Sequence, residues 1–169
     1  QKAILEMIRR DAPIHATLDA ICRLVDAQAD GLYSSILLVD QVTRQLRHGA
    51  APHLPDDYNR AIDGLGIGDG VGSCGTAAAR GESVMVDDIA THPYWVAFKQ
   101  LAHDTHGLAA CWSTPILGYD GAVVATFAIY HKTPKTPTLK ERRLIEFTTH
   151  LVVIAVNRAR EQERIAAST

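Results

Sequence analysis

The stretch Gly70-Val71-Gly72-Ser73-Cys74-Gly75-Thr76-Ala77-Ala78-Ala79-Arg80-Gly81 decides how the rest of the chain is read. Glycines recur from Gly64 to Gly72, which interrupts regular structure and lets the backbone turn tightly or approach a neighbour closely. The next residues predict a short helix capped by Ser73, ended by Gly81 and built almost wholly of small side chains. Such a helix brings its backbone near whatever lies beneath it. Its N-terminus, with Ser73, Cys74 and Thr76, offers N–H groups to a polar ligand. Val84-Met85-Val86 follows as a short strand leading into the acidic turn Asp87-Asp88. Together these features predict one wall of a small pocket.

Upstream, Ile4, Leu5 and Ile8 share one face of a first helix. The chain breaks before Pro13, where Asp11 is placed to cap a second helix carrying Ile14, Leu18, Ile21, Cys22 and Val25. Cys22 lies within that apolar stripe and is read as core. Leu32 to Val39 is β-prone, Asp40 to Arg44 a turn, and Leu46 to Ala50 the returning strand. Pro52 to Ile62 is polar with helical features, Pro55 fitting its first turn.

Downstream, Pro93 is expected to start a helix carrying Tyr94, Trp95, Val96, Phe98 and Leu101. Ala109 to Leu117 reads as a strand with Cys111 and Ser113 on one side and Trp112 on the other. Tyr119-Asp120-Gly121 turns it into a further strand, Ala122 to His131. Thr133 to Pro137 then breaks the chain before a final helix from Leu139 to about Ala167. Turns rather than long crossovers join the strands, so the expected fold is α+β. It has a central antiparallel sheet of about five to six strands, terminal helices on one face, and irregular helix and loop segments forming a pocket on the other.

The 169 residues are read as a single domain, 1–169, cut from a larger multidomain protein, since the first residue is Gln1 rather than Met. Apolar residues make up 47% and the formal net charge is −2, which supplies no basic field for nucleic acid. No run approaches the ~20 apolar residues of a membrane helix, so direct membrane insertion is not expected. The three cysteines, Cys22, Cys74 and Cys111, have no metal-type spacing and an odd count, which points to a reducing, cytoplasmic setting.

With these blocks in order, the chain resembles a GAF domain of the PAS/GAF sensory group. The resemblance covers nearly the whole chain and is carried by Gly72-Ser73-Cys74-Gly75-Thr76-Ala77-Ala78, Val86-Asp87-Asp88-Ile89, Ala110-Cys111-Trp112-Ser113-Thr114-Pro115-Ile116 and the strand Gly121 to Tyr130. It implies a bacterial signalling protein with a ligand pocket between sheet and irregular segments. It also implies dimerisation through terminal helices and a covalently linked output domain of the histidine kinase or cyclic-di-GMP enzyme type.

Other chemistries fit less well. Gly70-x-Gly72-x-x-Gly75 matches the dinucleotide fingerprint only as a string, because Asp63 to Asp69 stands where an apolar strand is required. The family's cyclic-nucleotide signature of Asn, Lys, Phe, Asp and Glu has no place here. A GAF relative that reduces free methionine sulfoxide shares the Cys-Gly-Thr-Ala-Ala string, and this thiol reductase is the principal alternative. The position of that relative's catalytic thiol, counted from Cys74, is Phe98, and Cys111 has no neighbouring cation in sequence to stabilise a thiolate. No catalytic residue is assigned. His103 and His106 lie in a polar, turn-like segment that completes no zinc spacing, so no metal site is assigned and the cofactor remains unknown. Bilin attachment in related domains uses a Cys-His pair, which Cys74-Gly75 and Cys111-Trp112 both lack.

The expected function is therefore a sensory domain for an unidentified small molecule, with a ligand-free dimerisation spacer as a further alternative. Candidate pocket residues are Ser35, Ser73, Cys74, Thr76, Ala78, Asp88, Trp95, Phe98, Cys111 and Ser113. In the final helix Leu144, Phe147, Leu151 and Ile154 form one stripe and Ile145, Val152 and Val156 a second. One covers the sheet. The other, helped by Ile4, Leu5 and Ile8, is expected to join a homodimer through the terminal helices.

Overall fold

The computed structural model describes residues 1–168. In chain order the elements are α1 (Lys2–Arg9), α2 (Ile14–Asp26), β1 (Leu32–Asp40), β2 (Gln45–Ala50), α3 (Asp56–Ile62), β3 (Leu65–Gly66) and α4 (Gly72–Arg80). They continue with β4 (Val84–Val86), a 3₁₀ turn (Pro93–Trp95), a π-helical turn (Gln100–Thr105), β5 (Ala110–Leu117), β6 (Val123–His131) and α5 (Leu139–Ser168). The strands form one six-stranded sheet in the order β3-β2-β1-β6-β5-β4, and every pair is antiparallel. This is the expected α+β architecture. The central pair, β1 and β6, unites two hairpins from opposite halves of the chain, with Ile36 opposite Phe127.

Strand alternation divides the interior in two. On one face Ile36, Trp112, Phe127 and Ile129 pack against α1, α2 and α5. On the other, Leu37, Cys111, Ala128 and Tyr130 meet α3, α4 and the irregular segment around Trp95. Cys22 is fully buried in the first layer, and burial pushes its thiol up to about 12.

Several local expectations change. Asp11 does not cap α2, whose N-cap is Pro13; at φ 56° it instead accepts a hydrogen bond of 2.6 Å from Arg158 Nε on α5. Leu65–Gly66, in the glycine-rich stretch, forms a short edge strand against β2. The residues after Pro93 do not form one helix: a 3₁₀ turn and a π-helical turn flank Phe98, a tighter and a wider winding of the same chain.

In α5 the stripe of Ile145, Val152 and Val156 faces the sheet, joined by Leu151. Leu144 is half-buried, while Phe147 and Ile154 are 40% and 41% exposed. Ile4 and Ile8 are buried within the chain rather than free for a second copy, because α1 folds back on α2 and α5; Leu5 remains exposed.

The start of α5 is fixed by a capping box. Thr138 N–H donates to Glu141 Oε1 at 3.0 Å and Glu141 N–H to Thr138 Oγ1 at 3.1 Å. Glu141 also lies 3.1 Å from Lys135 Nζ and 2.8 Å from His131 Nε2. Burial pushes its carboxyl up, but the Thr138 N–H and Lys135 outweigh this and hold it below the ordinary 4.5. A depressed carboxyl stabilises the fold above its unfolded value and ceases to do so as pH falls through its folded value. Glu141→Gln is expected to cost roughly 1–3 kcal/mol at pH 7 in urea unfolding, and the deficit is expected to shrink as pH falls below 4.5.

Candidate functional site

Helix α4 sits directly on β5 and β6 because Gly72, Ser73, Cys74, Gly75, Thr76, Ala77 and Ala78 are small enough to be buried together. Its first residue is Gly72, at φ +57°, and Val71 is its N-cap, so Ser73 lies inside the helix rather than capping it. This frees the Ser73 hydroxyl. It accepts from Trp95 Nε1 at 3.0 Å and donates to the Cys111 carbonyl at 3.0 Å, tying the irregular segment, α4 and β5 at one atom.

The loop before the helix is held by its own bonds. Thr76 Oγ1 donates to Gly72 O at 2.7 Å and accepts the Gly70 N–H at 3.0 Å. A side chain at Gly75 would put its Cβ 2.8 Å from Val71 Cβ, closer than real Cβ contacts come. Gly81, at φ +69°, ends the helix as expected.

Between α4, α3 and the sheet lies a narrow cavity of about 20 Å³. Leu37, Tyr58, Ile62, Leu65, Gly72, Ser73, Cys74, Trp95, Phe98 and Tyr130 line it. It is large enough for one water molecule. The hydroxyls of Tyr58 and Tyr130 meet at 2.8 Å with their rings edge to face, and burial pushes both phenols well above the ordinary 10. The pair is therefore neutral.

Beneath α4 the Cys74 thiol accepts from Ser113 Oγ at 3.3 Å. A hydrogen bond from the Cys111 thiol is the main influence that, against burial, holds Cys74 below the ordinary 9. Burial, and then the neighbouring Cys74, push Cys111 well above it. On the same face of the sheet Ser35 Oγ is buried without a hydrogen-bond partner among the described residues.

The structure thus brings Ser73, Cys74, Trp95 and Phe98 to the cavity wall, with Cys111 and Ser113 directly behind Cys74. Ser35 lies opposite Ala128, which in turn lies opposite Ser113, on the same floor. Thr76, Ala78 and Asp88 are not on that wall. Thr76 holds the loop, Ala78 fills the core, and Asp88 turns the chain after β4 by accepting the Ala90 N–H at 3.2 Å. Leu37, Tyr58, Ile62, Leu65, Gly72 and Tyr130 also line the wall and are absent from the residues proposed from sequence; Tyr58 is the least legible of them. Its segment reads as polar, although Tyr58 and Ile62 are four apart and share a buried helical face.

A family model described as GAF domain matches residues 11–157. Over 168 residues the chain is 29% identical to the methyl sulfide methyltransferase-associated sensor of Methanosarcina acetivorans, covering 99% of this chain and 17% of that protein. The chain therefore spans about a sixth of that curated relative. Among solved structures it resembles a GAF sensor protein from Burkholderia vietnamiensis, with a TM-score of 0.73, 18% identity, and coverage of 94% of this chain and 92% of that one. It also resembles a free methionine-R-sulfoxide reductase from Neisseria meningitidis solved with its substrate, with a TM-score of 0.74, 15% identity, and coverage of 94% and 87%.

The paired phenols test the geometry. Tyr130→Phe leaves the Tyr58 hydroxyl buried without its partner and is expected to cost roughly 1–3 kcal/mol, as is Tyr58→Phe. The double variant removes both groups, so its cost in urea unfolding is expected to be well below the sum of the two.

Proposed function

The chain belongs to the GAF domain family, and from that premise we propose that it is a non-catalytic sensory module for a small molecule. The observation that carries the reading is the cavity beneath α4, walled by aromatic rings and edged by hydroxyls and a thiol. Pockets that fix a ligand combine apolar walls with a few placed polar groups in this way. At about 20 Å³ the chamber has room for a water-sized guest. A larger ligand enters by displacing Phe98, which is half-buried between two short, irregular turns. The sensor named above, of which this chain spans a part, supports a regulatory role within a longer protein.

The route outward runs through β5 to α5. Asn157 Oδ1 accepts the Tyr119 N–H at 3.1 Å, and its amide donates to Leu117 O at 3.4 Å, so the β5–β6 turn is bonded to the helix. The next residue, Arg158, binds Asp11 at the α1–α2 elbow. A shift of β5 under Cys111 and Ser113 reaches α5 by this connection, and α5 carries it to a linked output domain of the histidine kinase or cyclic-di-GMP enzyme type. Leu5, Phe147 and Ile154 supply exposed apolar surface for pairing with a second copy. The expected state in analytical ultracentrifugation is a dimer; a strict monomer at high micromolar concentration, still helical by circular dichroism, contradicts that part.

The two indoles report ligand position. Trp95 faces the cavity, whereas Trp112 Nε1 donates to Lys135 O at 3.1 Å on the opposite face of the sheet. In a small-molecule screen by ¹⁵N NMR, binding compounds are expected to shift the Trp95 indole resonance and leave that of Trp112 in place. Compounds that move Trp112 alone place the site elsewhere.

The juxtaposition of Cys74 and Cys111 favours a second reading, a thiol-based reductase of free methionine sulfoxide. In a thioredoxin assay coupled to NADPH the sensory reading predicts no turnover, and turnover abolished by Cys111→Ser replaces it with the reductase.

A further inference from the structure

Two thiols meet beneath α4, and their surroundings differ. Cys74 is the third residue of a nine-residue helix, where backbone N–H groups and the helix dipole favour an anion. Its sulfur lies 3.3 Å from Ser113 Oγ, a second donor. Cys111 is two residues before Ser113 on the same face of β5, and its carbonyl is held by Ser73, the residue preceding Cys74. These two bonds hold Cys74 and Cys111 as neighbours across the seam between α4 and β5. Cys74 borders the water-sized cavity; Cys111 is not on its wall.

From this arrangement we propose that Cys74 and Cys111 form a reactive dithiol that a small hydroperoxide oxidises to an intrachain disulfide. The Cys74 thiolate attacks the distal oxygen of the hydroperoxide, forming an S–O bond as the O–O bond breaks. The departing oxygen takes the proton that Cys74 gave up and leaves as water or a small alcohol. The Cys111 sulfur then attacks Cys74, its proton goes to the sulfenic oxygen, the S–S bond forms and water leaves. Two thiols have lost two electrons, and the hydroperoxide has gained them. The lowered Cys74 and raised Cys111 acidities suit attacking and resolving roles respectively. The narrow cavity beside Cys74 favours small oxidants over bulky ones. This oxidation is stoichiometric and does not depend on the sensory reading, whose ligand-dependent indole shift is measured separately.

Folded protein treated with excess hydrogen peroxide, blocked with a thiol alkylator and digested tests the proposal. The expected product is a Cys74–Cys111 peptide pair lighter by two hydrogens, with Cys22 remaining alkylated as an internal control. Cys111→Ser is expected to trap a sulfenic acid on Cys74 that reacts with dimedone, and Cys74→Ser to abolish the reaction at Cys111. Phe98→Ala, which opens the chamber edge, is expected to speed Cys74 oxidation about tenfold or more while leaving Cys22 unchanged. Oxidation of Cys74 no faster than Cys22, a cross-link to Cys22 or between chains, or a rate indifferent to Phe98→Ala, each overturns it.

Discussion

The Ser73 hydroxyl stands where three parts of the chain meet. It accepts the Trp95 indole from the irregular segment and donates to the Cys111 carbonyl of β5, while its own backbone belongs to α4. Such a junction forms only if α4 lies close to the sheet, and the small residues from Gly72 to Ala78 allow that approach. A larger residue there would lift the helix, separate Ser73 from β5 and open the layer that holds Tyr58, Tyr130 and the two thiols. The close seating of one short helix therefore sets both the size of the cavity and the contact between Cys74 and Cys111.

The same seating explains why the pocket face is chemically mixed. A tightly packed apolar layer minimises unpaired polar atoms, yet Ser35 keeps a buried hydroxyl without a partner among the described residues, at a cost of about 1–3 kcal/mol. In the opposite layer Ile36, Phe127 and Val152 pack under the long helices. Asn157 and Arg158 connect the rim of the sheet to the helix that leaves it.

Much of this architecture is legible in the residues because it depends on period and punctuation. The alternation of Cys111, Trp112 and Ser113 gives the two faces, and Gly81 gives the end of α4 through its left-handed φ. Details that depend on long-range partners are not legible. Asp11 has the form of a helix cap, but Arg158, far along the chain, holds it elsewhere. Ser73 likewise has the form of a cap, and only the approach of Trp95 and Cys111 shows what its hydroxyl does as the second residue of the helix. Tyr58 is hidden in a polar segment, and its role becomes visible once β6 brings Tyr130 opposite it. The buried and exposed sides of α5 required the sheet, since two apolar stripes compete in sequence and packing chooses the one containing Val152.

The closely seated α4 faces a segment that is expected to yield around Phe98. Native-state hydrogen exchange measures this directly. Amides from residues 96 to 106 are expected to exchange at least about a hundredfold faster than those of α4 and β5, through local openings that leave the sheet intact. Equal protection of that segment and α4, with all amides exchanging only through global unfolding, would contradict the account.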